Sequence, residues 1–307
     1  MTIRIAIAGV GKIARDQHLP SIAADPSFEL AATVSRVDPK LDVPHFTSVE
    51  AMLDEGPPVD AVALCMPPQA RYAAARAAIA AGLHVFLEKP PGASVAEVDA
   101  LRRQSAAAGV TLFASWHSRF AAGVEPAREW LVGKAIRAVA ISWREDVRVW
   151  HPGQDWIWEP GGLGVFDPGI NALSIVTRLL PEPLFVCTAT LSVPENRAAP
   201  IAADLTMTTV SGIAVSADFD FRQTGPQSWD IVVDTDAGRC TLAHGGAVLT
   251  LPGRGCDYAP DREYSGLYAR FAALVAGGAS EVDTAPLQLV ADAFLCGRAL
   301  AVEPFVD

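Results

Sequence analysis

Ile3-Arg4-Ile5-Ala6-Ile7-Ala8-Gly9-Val10-Gly11-Lys12-Ile13-Ala14 opens the chain with an apolar strand that breaks at a G-x-G-x-x-A turn and runs into helix-forming sequence. In a strand–turn–helix unit each small residue has a task. Gly9 permits the tight turn, Gly11 lets backbone approach a pyrophosphate, and Ala14 keeps the helix close to the strand. The N–H groups of the first helical turn are then open to phosphate oxygens. The turn therefore predicts a dinucleotide site, with Gly9, Gly11, Lys12 and Ile13 as its contacts.

A second strand, 28–34, ends at Ser35-Arg36. A site selective for NAD usually carries Asp or Glu about 20 residues beyond the turn, to bond the ribose hydroxyls. Here a hydroxyl and a guanidinium stand instead. Arg36 can form charge-assisted bonds to a 2′-phosphate, worth roughly 1.5–3 kcal/mol. The expected cofactor is NADP and/or NAD, with NADP accepted through Ser35 and Arg36. The competing reading is a solvated surface Arg36, with Asp38 turned inward.

Further along, strand patterns at 59–66, 84–87 and 111–114 alternate with helical patterns at 72–81 and 95–108. That alternation predicts an α/β Rossmann domain, a doubly wound parallel sheet, over 1–119. Then the texture changes. After a linking helix at 125–131, strand patterns follow one another at 135–143, 185–193, 202–209, 213–221, 229–235, 239–243 and 247–251. Such a run predicts an α+β domain with a large, mainly antiparallel sheet over 120–307. Helices are expected at 267–276 and 286–301, and the last could pack back on the first domain.

Composition bounds the class. At 307 residues the chain can bury a sizeable core. Half of it is hydrophobic, but Gly, Pro and charge interrupt every apolar run before membrane length. The net charge of −11, with no basic tract, argues against nucleic acid and anionic membrane as partners. Cys65, Cys187, Cys240, Cys256 and Cys296 form no C-x-x-C pair, and reduced thiols in a cytoplasmic protein are expected. The start directly in a strand, without a signal peptide, agrees with that. No His/Cys/Asp spacing suggests a metal.

Chemistry in an open parallel sheet gathers outside the carboxyl ends of its strands. Met66-Pro67-Pro68 closes one strand and would pass beside the cofactor, and Glu88-Lys89-Pro90 closes the next, which makes Met66, Pro67, Glu88 and Lys89 further candidate cofactor contacts. An ammonium at Lys89 can hold a substrate hydroxyl and stabilise a developing alkoxide. An ordinary Lys paired with Glu88 is the alternative. Downstream, Gly161-Gly162-Leu163-Gly164 leads into a helix on which Asp167 and Asn171 lie four apart, hence on one face. Asp167 can take a proton and Asn171 can fix a hydroxyl. Equally, Asp167 could only cap that helix, with Pro168 in its first turn. Four of the seven tryptophans (Trp143, Trp150, Trp156, Trp158) fall together among Arg144, Glu145, Asp146, Arg148 and His151. Aromatic faces among polar side chains suit a sugar. Glu145, Trp150, His151 and Trp229 are candidate substrate contacts, with Lys89, His117, Asp167 and Asn171. Arg119 could also reach the pocket.

The G-x-G-x-x-A start, Glu88-Lys89-Pro90 and the Asp167-x-x-x-Asn171 segment together resemble the glucose–fructose oxidoreductase/inositol dehydrogenase (Gfo/Idh/MocA) family. The likeness runs over nearly the whole chain. The stretches 11–20, 116–119 and 150–160 are similar to the branch that oxidises L-arabinose and D-galactose at C1. The resemblance implies an NAD(P) cofactor, oxidation of an aldose to its lactone, and a homodimer formed through the second-domain sheet. Many members carry His, the usual base, where Asn171 stands here. That role therefore falls to Asp167 or to Lys89. A family dehydrogenase acting on a cyclic polyol or dihydrodiol, and a non-catalytic dinucleotide- and sugar-sensing regulator, remain as other readings.

Overall fold

The computed structural model describes residues 2–254, 256–258 and 262–306. It divides into two compact units, Met1–His117 with Tyr264–Thr284, and Ser118–Glu263 with Ala285–Asp307.

The first unit alternates strand and helix: β1 (Ile3–Ala8), α1 (Leu19–Ala24), β2 (Phe28–Val34), β3 (His45–Phe46), α2 (Val49–Glu55), β4 (Ala61–Leu64), α3 (Arg71–Ala80), β5 (His84–Leu87), α4 (Val95–Ala108) and β6 (Leu112–Ala114). The strands are parallel, in the order β3-β2-β1-β4-β5-β6. The chain reverses its direction of travel between β1 and β4, the switch point at which such sheets bind ligands. Every residue of β4 is buried, which explains its unbroken apolar sequence. Small Ala75 and Ala78 with Ile79 let α3 sit close over that sheet. Ser94 starts α4 by accepting the Glu97 N–H at 3.3 Å, and Gly109 ends it in the left-handed conformation, φ 68°.

The second unit holds α5 (Val124–Leu131), β7 (Ile136–Arg144), α6 (Val147–Trp150), α7 (Phe166–Leu179), β8 (Leu184–Pro194), β9 (Ala202–Thr209), β10 (Ala214–Asp220), β11 (Ser228–Thr235), β12 (Gly238–Ala243), β13 (Val248–Thr250) and β14 (Cys256–Tyr258). Together with a last strand near the C-terminus they make a nine-stranded sheet, mainly antiparallel as expected. Parallel pairing joins β10 to β7. On β10, Val215, Ala217 and Phe219 are buried while Ala214 and Ser216 are exposed, the alternation of a sheet with one covered face.

Two expectations about the C-terminal region are corrected. First, α8 (Glu263–Ala276) belongs with the Rossmann strands, so a single cut after residue 119 does not divide the chain. Tyr264, Leu267, Tyr268, Phe271 and Leu274 form its buried stripe. Tyr268 packs edge-on to Phe28 at 5.1 Å, and Phe271 edge-on to Phe86 at 5.5 Å. Just after α8, Glu281 bridges to Phe113, and Trp116 donates to the Asp283 carbonyl at 2.9 Å. Second, the helix expected at 286–301 is α9 (Ala285–Cys296), which packs on α7 and β8 of its own unit. Gly297 breaks it, and β15 (Arg298–Val302) pairs in parallel with β8. The apolar run was compatible with either state, and the free edge of β8 decided for strand.

Candidate functional site

At the β1 turn, Gly9 has φ 92°, and a Cβ there would stand 2.4 Å from the Met66 amide nitrogen. Only glycine fits. Around Gly11, a Cβ would meet nothing within 4 Å. The turn thus leaves open space over backbone at the start of a helix, which fits a pyrophosphate. Lys12 and Ile13 begin that helix, which widens into a π-helical turn at Ala14–His18 and buries Ala14 completely.

Where β2 ends, Ser35 Oγ donates to the Val37 carbonyl at 2.5 Å, and Arg36 is exposed with no side-chain partner among the described residues. Asp38 is engaged by Lys40, through its amide at 2.8 Å and its Nζ at 2.9 Å, and these bonds hold the carboxyl below the ordinary range. The charge left for a ribose substituent is therefore positive. Arg36→Ala is expected to weaken NADP about tenfold or more and to spare NAD, as dinucleotide titrations would show. Equal losses for both would remove the phosphate role.

Beyond β4 and β5, one residue that the sequence did not single out organises the backbone. Arg71, 2% exposed, donates through Nη1 to the Glu88 and Pro90 carbonyls and through Nη2 to the Met66 carbonyl at 2.6 Å. Burial pulls its pKa down to about 10, so it stays charged at neutral pH. Hydrogen bonds from Nη1 and Nη2 offset the cost of burying this charge and tie Met66-Pro67 to Glu88-Lys89-Pro90, while Nε has no partner among the described residues. The only trace in the sequence is a charge heading an Ala-rich helix.

Glu88 is buried and holds Lys89 from the other side. Its carboxylate accepts from the Lys89 amide, from Tyr264 Oη at 2.5 Å and from His18 Nε2 at 3.3 Å. His18 Nδ1 shares a hydrogen bond with Tyr268 Oη at 2.8 Å, and the His117 ring stacks on Tyr264 at 5.4 Å. Burial alone would raise the Glu88 carboxyl, but bonding to His18 and the charge of that ring bring it down to about 2. Burial opposes the charge on His18, and the facing Cys65 sulfur and Glu88 more than offset it, so His18 is raised. Glu88 thus stabilises the fold above its ordinary 4.5 and loses that contribution as pH falls toward 2. His18 contributes below its ordinary 6.5 and loses that as pH rises through its raised value. The Tm gap between wild type and Glu88→Gln is therefore expected to be widest from pH 4.5 to 6.5 and to narrow on either side; a gap independent of pH would refute the ion pair.

The second unit gathers its own cluster. Gly164, φ 54°, passes so close to Pro200 that a Cβ would stand 2.3 Å from that carbonyl oxygen. The chain then enters α7 with Val165 as N-cap. Asp167 is inside the first turn, 3% exposed, and so is not the cap. Asn171, half-buried, lies one turn along. Arg119 donates to the Ser174 carbonyl at 2.9 Å and to Thr177 Oγ1 at 3.1 Å, bracing α7.

From the end of β7, Glu145, 5% exposed, accepts from Trp229 Nε1 at 2.9 Å. Its other oxygen is 3.2 Å from His151 Nε2. On the far side of that ring, His151 Nδ1 lies 3.7 Å from Asp167 Oδ2. Trp150, 46% exposed, stands edge-on to Trp229 at 5.3 Å. Trp143 and Trp158 are core. The cluster joins two buried carboxylates and an imidazole to two indoles, a set that can take a proton beside a flat apolar face.

Comparison with known proteins gives the family. The Gfo/Idh/MocA pattern, that of an oxidoreductase family with an NAD-binding Rossmann fold, matches residues 3–115. Galactose 1-dehydrogenase of Pseudomonas fluorescens is 45% identical over 306 residues, 99% of each chain. D-xylose 1-dehydrogenase (NADP(+)) 2 of Haloferax volcanii is 30% identical over 187 residues, 58% of this chain and 57% of that one. The crystal structure of D-galactose-1-dehydrogenase from Rhizobium etli, 56% identical, superposes with a TM-score of 0.95 over 99% of this chain and 98% of that one. Among the described residues no helix is long and apolar enough to cross a membrane. With such identity held across almost the full length of both relatives, this nicotinamide-dinucleotide-binding enzyme belongs to the Gfo/Idh/MocA oxidoreductase family.

Proposed function

We propose that the protein oxidises an aldose, D-galactose, L-arabinose or a close relative, at C1 to the aldonolactone. The observation that carries this reading is the buried Asp167 beside His151, Glu145 and the paired indoles of Trp150 and Trp229. The full-length likeness to two galactose 1-dehydrogenases supports it. A sugar presents C–H faces to the indoles and hydroxyl edges to the polar groups. Asp167 takes the proton of the anomeric hydroxyl, Asn171 orients the sugar, and Lys89 stabilises the oxyanion that develops. The bound dinucleotide supplies the acceptor for the C1 hydride at nicotinamide C4. Ser35 and Arg36 admit NADP as well as NAD. The outer face of the nine-stranded sheet, with exposed Ala140, Thr206, Ala214 and Ser216, is the surface for a homodimer. A cytoplasmic location suits the thiols of Cys65, Cys187, Cys240 and Cys296, none in a disulfide.

The test is the initial rate of nicotinamide reduction across aldoses, their C1-methyl glycosides and inositol, each with NAD and with NADP. Turnover confined to free aldoses is expected, because the reaction needs an anomeric hydroxyl. Turnover of inositol or a methyl glycoside would move the substrate class to cyclic polyols. Dinucleotide binding without any turnover would point to a sensor.

A further inference from the structure

His151 stands between two buried carboxylates, Glu145 from the end of β7 and Asp167 from α7. Phe221 covers the ring at 5.5 Å, and Trp229 from β11 donates into Glu145. The donors and acceptors of this group can be counted. An indole N–H only donates, so Trp229 spends one oxygen of Glu145 as an acceptor. The other oxygen, 3.2 Å from Nε2, calls for a second donor, which puts the proton of a neutral His151 on Nε2. Nδ1 is then the lone-pair atom. It is shielded from solvent, has no hydrogen-bond partner, and stops 3.7 Å from Asp167 Oδ2. That separation is too long for a hydrogen bond, as expected for two acceptors facing each other with no proton between them. A proton on Asp167 turns the same pair into donor and acceptor.

We infer that His151 is the second station of a proton relay, receiving at Nδ1 the proton that Asp167 removes from the anomeric hydroxyl. This rests on the reading of Asp167 as base. The O1–H bond breaks and its proton goes to Asp167, while the electrons of that bond form the C1–O1 double bond. The C1–H pair leaves as the hydride of the oxidation. Asp167 Oδ2–H then donates to Nδ1, and transfer leaves Asp167 a carboxylate and His151 an imidazolium. Glu145 and Asp167, one on each ring nitrogen, hold that cation until it gives the proton to water. A relay separates the step that needs a base from its release to solvent, so Asp167 is ready for the next turnover at once.

The experiment measures kcat and KM for the sugar against pH, in H2O and in D2O, for wild type, His151→Gln, Glu145→Gln and His151→Ala with and without added imidazole. Asp167→Asn is the reference. His151→Gln is expected to lower kcat about 10–100-fold, to change KM less than about threefold, and to move the acid limb of kcat to lower pH. Glu145→Gln should lower kcat in the same sense, because an amide does not hold an imidazolium. Added imidazole should restore part of the His151→Ala loss, which a purely structural role would not allow. A raised KM with kcat and its pH profile unchanged would overturn the relay and leave His151 as a sugar contact, with Asp167 still the base. Wild-type turnover by Asp167→Asn would instead overturn the reading beneath it. Should His151→Gln fail to fold, Glu145→Gln and the imidazole rescue decide by the same criteria.

Discussion

Lys89→Ala is expected to lower kcat by about 10²–10⁴ while dinucleotide affinity stays within about twofold of wild type. The reason lies in what fixes Lys89. Its amide donates to Glu88, and the carbonyls on either side of its own, those of Glu88 and Pro90, are both clamped by Arg71. Backbone held this firmly is independent of the side chain, so truncation removes the ammonium without loosening the loop. What is lost is the positive charge opposite a developing oxyanion, an interaction stronger in the transition state than in the ground state. The loss should therefore fall on kcat. Steady-state kinetics and a fluorescence titration of the dinucleotide check both halves. Wild-type turnover would exclude Lys89 from the chemistry, and lost dinucleotide binding would make it a cofactor residue.

Asp167→Asn is expected to cost about 10²–10⁴ in kcat as well, for a different reason. The amide keeps the volume of the carboxylate in a site 3% exposed, so packing at the start of α7 is preserved. It cannot accept a proton at neutral pH. The remaining activity should depend on pH differently, since the group that takes the proton from the substrate is gone. An unchanged profile would transfer the base to Lys89. Double replacement with Lys89→Ala distinguishes shared from separate roles: effects that multiply mark independent contributions, and effects that do not mark one proton-transfer unit.

Much of this protein is written in short-range pattern. The G-x-G-x-x-A turn requires a glycine that no other residue can replace, as the φ of 92° at Gly9 and its contact with Met66 show. Ser94 and Gly109 mark both ends of α4, and Asp167 and Asn171 share a helix face because four residues make about one turn. Strand alternation identified the open sheet of the second unit, although the sequence alone set no order for its strands. These are consequences of backbone stereochemistry and of burial on one face, both of which act over a few residues.

Other features depend on partners far away in the chain. The stripe Tyr264–Tyr268–Phe271 announces a buried helix face but cannot say which sheet it covers; Phe28, Phe86 and Phe113 of the first unit supply the answer. Arg71 looks like a surface charge until three carbonyls from two strand ends converge on it. The run after Gly297 is a strand because β8 has an open edge. Most of all, Glu145, His151, Asp167 and Trp229 come from four separate segments, and no spacing among them encodes a hydrogen bond. Local propensity costs tenths of a kcal/mol per residue and is read along the chain. Filling a buried polar group's hydrogen bonds is worth about 1–3 kcal/mol each, and its partners exist only once the chain has packed.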